Sequence, residues 1–215
     1  MQTLLALAMM IGLALAGPVG AHALEDIELP APRQTGGMPL MQALADRHTS
    51  REFAERDLAS QTLADLLWAA FGINRPDSGK RTAPSARNWQ EIEIYVVTAQ
   101  GAYRYDAAAN ALRAAVDGDL RGATGRQAFA AQAPVNLVYV ADVERMRGAA
   151  EEDVPLYAGA DTGFISQNVY LYCASAGLAT VVRGNVDRTA LAAALGLDEH
   201  HRVILAQTVG HPAQP

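Results

Sequence analysis

Cysteine is nearly missing from this 215-residue chain. Cys173 stands alone, which excludes an internal disulfide and any cysteine-rich zinc site. Cationic charge is also short, with 17 Lys and Arg against 23 Asp and Glu, a net charge of −6 at pH 7. That balance argues against general nucleic-acid binding, which rests on clustered Lys and Arg. No G-x-S-x-G elbow, Walker A loop, G-x-G-x-x-G turn or H-E-x-x-H helix occurs. The adjacent His200-His201 lies in a charged turn and reads as solvated rather than metal-binding. Cys173 reads as a small buried hydrophobe. What is there is apolar: 50% of residues are hydrophobic and 19% charged, too apolar a composition for a disordered chain.

The first 23 residues carry no charged side chain. Leu4 to Gly17 (LLALAMMIGLALAG) has the length of a signal-peptide core and falls short of the roughly 20 residues that span a bilayer. Gly17-Pro18 breaks the run, Ala21-His22-Ala23 fits a small-x-small cleavage site, and Leu24-Glu25-Asp26 follows. These features predict a signal peptide over 1–23 and one domain over 24–215, exported to the periplasm and without a membrane anchor after cleavage. The start Met1-Gln2-Thr3 offers no basic side chain. A buried N-terminal helix or uncleaved anchor, or a cytoplasmic location, is the competing reading. No twin-Arg signal is present.

Periodicity predicts a short helix from Met38 to Asp46 and a stronger one capped by Ser60, with Leu63, Leu66, Leu67, Ala70 and Phe71 on one stripe. Asn74 to Lys80 reads as a polar loop. Ile92 to Val97 and Ala102 to Tyr105 read as a hairpin, and Val135 to Val140 as another strand. Leu156 to Ala176 is apolar around most of its circumference, which predicts a helix buried on several sides, at a domain centre or a subunit interface, and closed by Gly177. Ala179–Val182, Arg188–Leu195 and Arg202–Val209 read as strand, helix and strand. Arg113–Gln127 and Arg145–Pro155 read as variable loops.

Three segments are candidates for chemistry. In Arg47-His48-Thr49-Ser50-Arg51 an extended chain would put Arg47, Thr49 and Arg51 on one side, two guanidiniums around a hydroxyl. That suits a phosphate or another oxygen-rich anion; a solvated basic turn fits the same residues. Thr82 to Gln90 places Pro84 for a first helical turn, leaving backbone N–H groups, Ser85 and Asn88 free for a polar ligand, or simply forming a capped turn. Gly184, at the end of a strand, permits close backbone approach to a flat ligand.

In this order the blocks ALADRHTSREF, LLWAAFGINRP, TAPSARNWQEIEIYVV, GFISQNVYLYCASAGLATVVRG and ILAQTVGHP resemble the FMN-dependent nitroreductase-like family. The chain is similar to its small exported members and to the flavin dehydrogenases of azole-peptide biosynthesis, although their Lys-Tyr pair is not evident. The resemblance implies an α+β fold, a mixed central sheet packed by helices, and an intertwined homodimer with FMN at each end of the interface. It implies that Arg47 and Thr49 face the phosphate and ribityl side, with His48 in the same cofactor-binding segment, and that Arg51 approaches the N1/O2 edge of the ring. Pro84, Ser85, Ala86 and Asn88 match the segment against the flavin, and Arg183 and Gly184 the backbone that bonds N5. One departure is that Val209-Gly210-His211-Pro212 is followed by Ala213-Gln214-Pro215, where many relatives carry a cation for the phosphate. Arg87, which the family pattern does not match, or Arg51 could compensate.

The resemblance further implies a two-step oxidoreductase in which the flavin N5 is the reactive centre and no side chain is catalytic. NAD(P)H or another donor would reduce it, and a nitroaromatic or quinone would reoxidise it. A non-catalytic flavin- or ligand-binding module of the same fold is the alternative. Export conflicts with NAD(P)H, a cytoplasmic donor.

Overall fold

A computed structural model describes residues 23–213. The leader run and most of its cleavage motif lie outside those residues. The first strand, β1 (Ile27–Glu28), is followed by α1 (Leu40–Asp46) and α2 (Ser60–Phe71). A small hairpin comes next, β2 (Ile73–Arg75) and β3 (Lys80–Arg81). The meander β4 (Ile92–Val97), β5 (Gly101–Asp106) and β6 (Ala111–Asp117) leads through α3 (Phe129–Gln132) to β7 (Val135–Asp142). The central helix α4 (Val154–Ala176) precedes β8 (Ala179–Arg183), α5 (Arg188–Ala194) and β9 (His201–Gly210).

Seven strands form one sheet in the order β1-β6-β5-β4-β7-β9-β8. The α+β class is as expected, but every pairing in this sheet is antiparallel rather than mixed. One face, with Ile92, Ile94, Leu137 and Tyr139, packs against Leu66 and Leu67 of α2 and Ile165 and Val169 of α4. The other, with Tyr95, Val97, Val138 and Val140, packs against Leu191 and Leu195. Both faces of β4 are therefore buried. Glu93 on it is tolerated because Arg104 and Arg145 hold its Oε1 at 2.9 and 2.6 Å.

Three local expectations change. Ser60 is the first helical residue and Ala59 the cap, with no side-chain capping bond. The 74–80 loop is largely a hairpin, turned by Pro76–Ser78 and by Gly79 at φ 64°. Its strands are short and polar, so they carry no hydrophobic period. β6 occupies part of the expected 113–127 loop; its Ala-rich sequence has low strand propensity, and pairing with β5 and β1 on both sides overrides that.

Helix α4 is only partly enclosed within one chain. Ala158, Ile165, Val169 and Cys173 are buried, whereas Leu156 and Phe164 are 67% and 48% exposed. It is covered on one side only. Gly177 ends it at φ 66°, where the left-handed backbone lets Leu178 N–H reach Cys173 O. Cys173 is fully interior, and burial pushes its thiol pKa up.

Candidate functional site

Immediately after α1 the chain becomes extended and lies along β8, where Ser50 N–H donates to Thr180 O at 3.0 Å. Alternation then puts Arg47 and Thr49 on one side, as anticipated. The Arg47 guanidinium sits over the Tyr170 ring, 5.2 Å from its centroid, and Thr49 Oγ1 is 3.0 Å from Tyr170 Oη. His48 turns elsewhere, with Nδ1 2.8 Å from Asp46 O. Tyr170 Oη also accepts Val182 N–H at 3.0 Å, so one phenol ties this segment to β8. Arg47 is held by a ring rather than a carboxylate, and Arg51 is exposed. Both charges remain available to an anion.

At the end of β8 the Arg183 guanidinium is committed to the interior. It donates to Thr208 Oγ1 at 3.1 Å, Thr124 O at 2.7 Å, Thr124 Oγ1 at 3.2 Å and Asn136 Oδ1 at 2.8 Å. All four acceptors are neutral, and burial pushes its pKa down to about 10. A Cβ on Gly125 would fall 1.6 Å from Arg183 Nη1, so that glycine makes room for the side chain. Only the Arg183 backbone and the exposed Gly184 are left to face a ligand.

Pro84 to Gln90 is built differently. Arg87, Asn88 and Gln90 have φ of 50°, 56° and 50°, left-handed conformations that cost side-chain-bearing residues energy. Ser85 Oγ compensates by accepting Gln90 N–H at 2.8 Å while donating to Glu91 Oε2 at 3.1 Å. Ala86 N–H donates to Asp161 Oδ2 at 2.8 Å. Glu91 and Asp161 are both buried, and among the described residues Glu91 Oε1 has no hydrogen-bond partner. Burial and the Asp161 charge push the Glu91 pKa up to about 7, so Glu91 is partly protonated near neutrality. Gln90 fixes the loop to the β2–β3 hairpin, accepting from Arg81 Nε at 2.8 Å and donating to Gly79 O at 3.1 Å. Pro84 and Asn88 are exposed.

The candidate residues thus fall into two groups along α4. Arg47 and Thr49 contact Tyr170, whose Oη also takes the N–H of Val182, next to Arg183 and Gly184; His48 turns away and Arg51 is exposed. Ala86 bonds Asp161 directly and Ser85 bonds Glu91, while Pro84 and Asn88 are exposed on the same loop. The two anchors, Asp161 and Tyr170, are nine residues apart on α4, roughly 13 Å along its axis and half a turn around it. Along its outer side the helix exposes Phe164 at its middle, Leu156 and Tyr157 towards its start, and the polar Gln167 between the two anchors. Leu40, Met41 and Leu44 add to this surface from α1, which packs on α4.

Sequence reasoning missed Tyr170, Asp161 and Glu91. Asp161 is the sole charged residue in α4, a polar exception in an apolar helix that could have flagged it.

Comparison with known proteins places the chain in a family. A relative from Methanocaldococcus jannaschii, named a nitroreductase, is 31% identical over 169 residues, 74% of this chain and 83% of its own. The crystal structure of a nitroreductase homologue from Ralstonia eutropha JMP134 superposes with a TM-score of 0.85 at 43% identity, covering 89% of this chain and 91% of that one. The NADPH:FMN oxidoreductase of Vibrio harveyi, solved with NAD+, shares the fold at 21% identity and a TM-score of 0.61, covering 81% and 69%. The nitroreductase family's sequence profile matches residues 44–211, most of the described structure, and the chain belongs to that family.

Proposed function

We propose that this protein is an FMN-dependent oxidoreductase whose flavin sites are completed by a second copy of the chain. The observation that carries the reading is the division of the flavin-matched residues along α4, with the exposed Phe164 between the groups. In an antiparallel crossing of two α4 helices near Phe164, the Asp161 end of one would lie beside the Tyr170 end of the other. Each of two equivalent sites would then take Arg47, Thr49 and Arg51 from one protomer and the 84–88 loop from its partner.

The residues fit the group. Arg47 lacks a carboxylate partner and, with Thr49, suits the phosphate and ribityl side. Arg51 supplies a cation for charge on the ring's N1/O2 edge. The backbone at Arg183 and Gly184 supports the reactive side, and the rigid 84–88 loop forms a wall. Bound FMN supplies the redox chemistry, accepting electrons from a donor and returning them to an acceptor such as a nitroaromatic or quinone. The chain itself then needs only to bind, orient and exclude water.

The donor is NAD(P)H if the protein works in the cytoplasm. If the leader directs export, as we also propose, a different reductant is expected outside. Purified protein should be yellow and bleach on anaerobic addition of NADH, NADPH or a surrogate donor such as dithionite. A yellow protein that dithionite bleaches and neither nucleotide does would point to another donor. A colourless protein that cannot be reconstituted with FMN would refute the flavin reading.

A further inference from the structure

The β2–β3 hairpin and the 84–90 loop enclose a cavity of about 230 Å³, lined by Arg75, Lys80 and Arg81 together with Ser85, Asn88 and Gln90. Three cations and no carboxylate line it, in a chain whose net charge is −6. Lys80 is the chain's sole lysine. Arg81 donates to Gln90 Oε1 and Phe71 O, both neutral. Burial and the nearby Arg145 lower its pKa, the mark of a cation short of counter-charge. Asp106, the carboxylate nearest in influence, is engaged by Arg113 at 3.3 Å.

The cavity is also preformed. Arg75 Nη2 holds Arg81 O at 2.7 Å, and Gln90 clamps the hairpin to the loop. Its volume is below that of pockets that enclose a whole drug-sized ligand, so it suits one substituent of a larger molecule. One wall is made by Ser85 and Asn88, residues of the flavin-matched segment. We infer that this cavity takes the anionic group, carboxylate or phosphate, of the molecule that exchanges electrons with the flavin. The assignment to that molecule rests on the flavin reading above.

The sole lysine permits a test that needs no turnover. The purified dimer is acetylated with an amine-selective ester, and modification of Lys80 is followed by mass spectrometry with the α-amino group as internal reference. Benzoate or phenyl phosphate at ten times its Kd should slow Lys80 modification about tenfold, while benzyl alcohol should not. The two anions distinguish a carboxylate from a phosphate site. Arg75→Gln should remove the protection; because Arg75 is exposed, folding should be retained. With FMN bound, Arg75→Gln should also raise KM for 4-nitrobenzoate but not for nitrobenzene. Equal Lys80 rates with and without both anions would overturn the subsite. Lys80 protection in a protein that takes up no FMN would keep the anion subsite and sink the flavin reading. FMN bound and bleached with Lys80 unprotected would do the reverse.

Discussion

The Arg47–Arg51 segment and the Pro84–Gln90 loop both touch α4, yet they are held by different physics. The first is an extended run whose anchors are backbone pairing with β8 and one neutral phenol, Tyr170. Its cations stay at the surface, free for a ligand. The second is a strained turn with three left-handed residues, fixed by two buried carboxylates and a cross-linked hairpin. The carboxylates that hold it are buried, and what it offers a ligand is its fixed shape and the exposed Asn88. One half attracts and the other defines. On the composite reading proposed above, each half supplies what the other lacks.

The largest effect should come from the surface between the halves. Phe164→Glu places a charge at the centre of the proposed crossing, and should convert the dimer to monomer in sedimentation while lowering FMN affinity at least about 30-fold. A variant that stays dimeric and yellow would show that the halves need no partner. Arg47→Ala comes next. Losing a charge-assisted contact to phosphate of roughly 1.5–3 kcal/mol should weaken FMN binding by about 10- to 100-fold, with the dimer intact. Fluorescence titration reads the change, and unchanged affinity would remove Arg47 from the site.

The smallest prediction concerns the loop. A carboxyl whose folded pKa is raised favours the fold when protonated, so its contribution is full below the unfolded value and fades as pH rises through about 7. Between pH 6 and 8 the wild-type chain should lose about 1 kcal/mol through Glu91. Glu91→Gln should flatten that slope in denaturant unfolding at the two pH values. An equal slope in both proteins would place the proton elsewhere.

These regions also differ in how readable they were. Arg47, Thr49 and Arg51 could be picked out because alternation along an extended chain is local, and the structure keeps Arg47 and Thr49 on one ring. The 84–88 segment was visible as a motif, but its support was not. Ala86 pairs with Asp161, 75 residues away, and no local period announces such a bond. Arg183 shows the limit from the other side: the motif marked its position, while its guanidinium turned inward to Thr124, Asn136 and Thr208. The main helices and strands were legible from apolar spacing. β6 and the β2–β3 hairpin were not, because alanines and polar residues form strands there only through their neighbours.

Complementation between two defective chains tests the composite site most directly. Arg47→Glu disables one half and Pro84→Trp, at an exposed position, obstructs the other; each homodimer should bind no FMN. In a mixed dimer purified through two different tags, the intact Arg47 half of one chain would face the intact loop of the other. The account predicts one FMN per mixed dimer. A mixed dimer with none, while the wild-type dimer binds FMN, would contradict it and place both halves of the site within a single chain.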